Sequence, residues 1–189
     1  MQLVNDLVYG EKSLDFWLKI GSDSGSLIKA FTKNLIHIAY EHYPSEDYFS
    51  QSGRLQFFYH SHRDNGEHGH IHVYIRKDKH SDPIHYVAIG LSNKGLPISL
   101  FTVTSESVNE QLVELQFLLK TANDALMLVD GEDTLTMFVS SFCLFYGKQI
   151  KRLITQKYYH EANRLLNNDI SSMIQIDWSS DLDKAEENK

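Results

Sequence analysis

Cysteine is nearly absent: Cys143 stands alone in 189 residues. That excludes an internal disulfide and any metal site built from several thiolates. Proline is scarce, with three in the chain, and long apolar runs are missing, so no stretch reads as a membrane span. Basic charge is in the minority, 18 Lys and Arg against 25 Asp and Glu, for a net charge of −7. That balance argues against nucleic acid as the main partner. The N-terminal stretch MQLVNDLVYGEKSLDFW has no basic start followed by an apolar segment and does not read as a secretory signal. A reducing, cytoplasmic compartment is the expectation, with signal-independent secretion left open.

What is present suits one globular domain, with 42% hydrophobic and 23% charged residues. Residues 1–176 read as a single domain. Residues 177–189, with five acids against two lysines, read as an acidic flexible tail. The stretch GSDSGS (21–26) reads as a joint between a short N-terminal piece and a helix. Ser26 caps that helix, its apolar stripe runs Leu27, Ile28, Phe31, Leu35, Ile38, Ala39, and Pro44 ends it. From Arg54 the period changes to two, with strands expected near 54–62, 68–76, 84–91 and 97–104. Their short polar linkers favour an antiparallel meander. Ser107 and Glu110 match a capping box opening a helix with Leu112, Val113, Leu115, Leu118 and Leu119. Asp133 caps a second helical run to about Leu166, divided at Gly147. The fold class is therefore α+β: a mostly antiparallel meander of four or more strands, flanked by N- and C-terminal helices. One sheet face is covered, and the other is free for a site or a partner.

Half of the ten histidines fall in FFYHSHRDNGEHGHIHVYIR (57–76): His60, His62, His68, His70 and His72. Strand side chains alternate, so His60 and His62 share a face, as do His68, His70, His72 and Tyr74, opposite Ile71, Val73 and Ile75. Two hairpin registers are open: one sets His60 opposite His70, the other sets His60 opposite His72. Both keep five imidazoles together, where mutual repulsion resists protonation. Neutral imidazole suits zinc, iron, nickel and copper, with zinc or iron favoured here as the divalent cofactor. His60, His62 and His70 are the expected ligands, with His68, His72 and Glu67 as further ligands or orienting groups. An ion with an open position would activate water or polarise a carbonyl of a small-molecule substrate, as a hydrolase or oxygenase does. A solvated polar face that responds to acid is the alternative without catalysis. His37, His42, His80 and His160 read as ordinary polar residues. His85 reaches the cluster only if its strand neighbours the second.

Three resemblances bear on this segment. HSHRDNGE (61–67 with His60) is similar to the first metal motif of cupins, H-x-H-x4-E, which implies His60, His62 and Glu67 as metal ligands. HGHIHVY (68–74) resembles the histidine triad of nucleotidyl hydrolases and transferases, which implies metal-free attack on phosphorus by His70. The segments FYHSH, EHGHIHVYIR and HYVAIGLSNKGLPISLFT (58–62, 67–76 and 85–102) together resemble an uncharacterised bacterial domain-of-unknown-function family. That resemblance brings no activity, and it implies that the histidine segment and GLPISLFT form one unit. Within GLPISLFT, Leu100 and Phe101 are expected in the core. Thr102 and Thr104 are expected on the histidine face if that strand borders it. Cys143, in the aromatic FCLFY, reads as core.

Overall fold

The computed structural model describes residues 2–33, 35, 38–62, 66–110, 112–127, 132–165 and 169–187. The four strands read from alternation are present as β2 (Leu55–His60), β3 (Gly69–Ile75), β4 (Ile84–Leu91) and β5 (Pro97–Val103). Two more complete the sheet at its edges, β1 (Tyr43–Phe49) and β6 (Ile170–Gln175). The order is β1-β2-β3-β4-β5-β6 and every pairing is antiparallel. The α+β meander is therefore borne out, with six strands among the described residues.

The core face of the sheet carries Leu55, Phe57, Tyr59, Ile71, Val73, Ile75, Val87, Ile89, Leu91 and Leu100, all fully buried. Helices cover it. α4 (Thr134–Phe145) and α5 (Gly147–Ala162) divide near Gly147 as the sequence indicates. Phe138, Phe142, Cys143, Ile150, Leu153 and Ile154 of these helices fill the space above the strands. Asp133 caps α4, its Oδ1 accepting from the Leu135 and Thr136 amides at 2.9 and 3.1 Å and its Oδ2 from the Thr136 hydroxyl at 2.6 Å. Asp133→Ala should lower the unfolding free energy by about 0.5–2 kcal/mol, read as a lower urea midpoint with an unchanged m value.

The helical readings need three corrections. The "short N-terminal piece" is α1 (Gln2–Ser24), a 23-residue helix that buries Ile20 and sets Trp17 edge-on to Trp178. The helix after Ser26 is capped as expected, with Ser26 Oγ accepting from the Lys29 amide at 3.2 Å. It ends at Thr32 rather than at Pro44, because Lys33 turns left-handed at φ 50° (α2, Leu27–Thr32). Leu35 and Ile38, which extend the apolar stripe on paper, are exposed, and Pro44 lies inside edge strand β1. Tyr43, at the end of the expected helix, pairs with Tyr59 of β2 instead. His37 lies outside the described residues. Third, Ser107 and Glu110 cap nothing: α3 runs Leu115–Ala125. Glu110 instead accepts from Lys157 Nζ at 2.6 Å and from the His85 amide at 2.7 Å, while Ser107 bonds Thr104 and Asp169. A buried lysine demands the carboxylate more strongly than an exposed helix end does. The acidic stretch 177–189 contains α6 (Trp178–Glu187), with Trp178 buried against Trp17, Phe138 and Phe142. No helix among the described residues is long and apolar enough to cross a membrane.

Candidate metal centre

On the uncovered face a second, smaller apolar cluster forms from Ala88, Phe101 and Val103, with Val108, Ile170 and Met173 against it. Phe101 thus belongs here and Leu100 to the main core. Thr102 shares Leu100's side and bonds Ser172 at 2.7 Å, so it does not face the histidines. The histidines occupy the same face beside this cluster. In the β2–β3 register His60 stands opposite His70 and Phe58 opposite His72, the first of the two hairpin arrangements.

His60, His70 and His72 each place a ring nitrogen within 4.8 Å of the others, among the described residues the one group so arranged. His60 Nε2 and His70 Nε2 are 2.8 Å apart. The other nitrogen of His70, Nδ1, lies 2.6 Å from Glu67 Oε1, and both side chains are almost fully buried. A carboxylate on Nδ1 holds the proton there and leaves the Nε2 lone pair facing the cluster, the arrangement that orients metal-binding histidines. Glu67 therefore acts on His70 rather than joining the trio. It lies across β4 over Gly90, the residue paired with His70, where an added Cβ would overlap Ser99 Oγ and the Glu67 carboxylate. Gly69 likewise admits Tyr59 OH and the His60 carbonyl. That close approach explains a glycine where the histidine-triad pattern carries an apolar residue.

His72 is supported from its other side, with Nδ1 2.9 Å from His85 Nε2. The condition for His85 is met, since β4 neighbours β3. It is met through a bulge: Val73 pairs Val87 but Tyr74 pairs His85, so Tyr86 is the extra residue. Without that bulge His85 would point to the core with Val87 and Ile89. Nothing in the sequence marks the bulge.

The remaining histidines are placed differently. His62, just past β2, has its ring 4.8 Å from His60 and 5.1 Å from His70 and stacks on Tyr40. His68, before β3, turns its Nδ1 to Tyr59 OH on the core side. His42 stacks on Phe58 and bonds Asp47 at 3.1 Å. Asp169, which no motif marks, lines the cavity space beside the trio together with His62 and His72.

Burial, and then the neighbouring His70, push the His60 imidazole down to about 3. Burial, and then His85, hold His72 well below the ordinary histidine range, and burial with Lys157 does the same for His85. These rings stay neutral at physiological pH, the form that ligates metal. In the metal-free protein the unfolded chain binds more protons than the folded one below about pH 6.5. Stability should therefore fall as pH drops from about 6.5 toward 3, by roughly 1–2 kcal/mol per buried ring between pH 7 and 5. Urea midpoints at pH 7 and 5 measure it, and a solvated face with ordinary histidines would leave them nearly equal.

A family model described as a domain of unknown function, DUF6969, matches residues 14–169. No curated protein matches the chain, and no solved structure does.

Proposed function

We propose, for a chain that belongs to the DUF6969 family of domains of unknown function, that it is a metal-binding protein holding one divalent ion through His60, His70 and His72. The observation that carries this reading is the convergence of three imidazoles with Glu67 fixing His70 from behind. Three imidazoles leave coordination positions open, and a cavity of about 270 Å³ lined by His62, His70, His72, Phe101, Val103, Asp169 and Ile170 adjoins them. A zinc or iron ion so held supplies water activation, carbonyl polarisation or oxygen chemistry on a small molecule, which favours a metal-dependent hydrolase or oxygenase. His62 stands where it can meet such a molecule.

The other two readings gain less from the geometry. Attack on phosphorus by His70 needs cationic groups for the phosphate, and the cavity beside it is lined by Asp169 and, among the described residues, by no lysine or arginine. An acid-responsive histidine face needs rings that charge near pH 6–7, and burial keeps His60 and His72 neutral there.

Titrating zinc into chelator-treated, tag-free protein by calorimetry tests the reading, with one site per chain expected. Glu67→Gln should weaken zinc affinity by about 10- to 100-fold while leaving one site, because only the orientation of His70 is lost. Equal affinity in Glu67→Gln would remove the carboxylate from the site, and no zinc binding by wild type would remove the site itself.

A further inference from the structure

The space beside the three histidines has two lobes. The inner lobe, about 270 Å³, is walled by Phe101, Val103 and Ile170. The outer lobe, about 530 Å³, includes Asp47, Gln56, Tyr74 and Asn109. His62, His72, Val103 and Asp169 line both, so the lobes meet at the histidine cluster. One end is apolar and the other polar, which orients an amphipathic molecule.

The charge lining these lobes has one sign. Among the described lining residues there are two carboxylates, Asp47 and Asp169, and no lysine or arginine. Among the described residues, Lys157 is held by Glu110, and Arg76 by Gln56 and the Ser81 carbonyl. Recognition of phosphate or carboxylate needs Arg, Lys or a helix N-terminus, and no helical residue lines either lobe. Of the two acids, Asp47 is engaged through both oxygens, with His42 Nδ1 at 3.1 Å and Gln56 Nε2 at 2.6 Å. Asp169 meets the Ser107 hydroxyl through Oδ1 at 3.1 Å and borders both lobes.

We propose that this site takes a small molecule with an apolar body and a cationic amine head, the body against Phe101, Val103 and Ile170 and the amine beside Asp169. The inference deepens the metal-site reading by naming what sits beside the ion, and it rests on that reading only for the ion.

Calorimetry with benzylamine and benzoate, similar in ring and size but opposite in charge, tests it on wild type and on Asp169→Asn, each chelator-treated and zinc-loaded. Asp169 is exposed, so in chelator-treated wild type benzylamine should bind more tightly than benzoate by about two- to fivefold. Asp169→Asn should lose that preference and keep the zinc content of wild type. Benzoate binding as tightly as benzylamine, a preference that survives Asp169→Asn, or no binding of benzylamine each overturns the proposal. A protein that takes no zinc yet prefers benzylamine through Asp169 overturns the metal reading alone and supports this one.

Discussion

Lys157→Met is expected to lower the unfolding free energy by about 3–5 kcal/mol, the range for removing one partner of a buried ion pair. Lys157 is 2% exposed and its Nζ meets Glu110 Oε1 at 2.6 Å. Without the lysine, the Glu110 carboxylate stays buried with half its compensation gone. The pair ties three elements together: Lys157 on α5, Glu110 on the loop before α3, and the His85 amide that donates to Glu110 Oε2. Because His85 backs His72, the damage should reach the histidine face as well. Adding Glu110→Gln to Lys157→Met should recover part of the loss, since the amide still accepts from the His85 amide but carries no charge. Urea unfolding of the two single variants and the double variant measures the coupling. Additive losses would mean that the lysine and the carboxylate contribute separately.

Zinc at a free concentration about a thousand times its Kd should stabilise the wild type by about 4 kcal/mol, since only the folded chain assembles the three imidazoles. His70→Ala should abolish nearly all of this gain. His70 is 1% exposed and sits between His60 and Glu67, so its removal breaks up the trio and leaves only His60 and His72 of it. The variant will also be less stable without metal, because it removes the His70 partner of the buried Glu67 carboxylate. The informative quantity is therefore the zinc-induced shift within each protein, read from thermal or urea unfolding with and without chelator. A shift of wild-type size in His70→Ala would place the ion elsewhere.

The sheet was legible in the sequence wherever strands alternate strictly. Leu55, Phe57 and Tyr59, and Ile71, Val73 and Ile75, mark their own core faces. The edge strands were not legible, because YPSEDYF and ISSMIQ carry little alternation and are held in place by a neighbour. The helix after Ser26 is shorter than its apolar pattern indicates: the stripe holds as far as Phe31, and Lys33 then turns left-handed, well before β1 begins. In the site, the opposition of His60 and His70 is one of the two registers that the hairpin allows, and the structure selects it. The sequence reading set His62 beside them. The structure sets His72, expected as a further ligand, in the trio, and leaves His62 just past the end of β2. His85 and Asp169 depend on a bulge and on strand β6, and local sequence encodes neither visibly.

Elemental analysis of tag-free protein, wild type beside His60→Ala/His70→Ala, tests the metal centre most directly. About one zinc or iron per chain in the wild type, and near none in the folded double variant, is the predicted result. Metal absent from the wild type even after reconstitution, or present equally in both proteins, would contradict it.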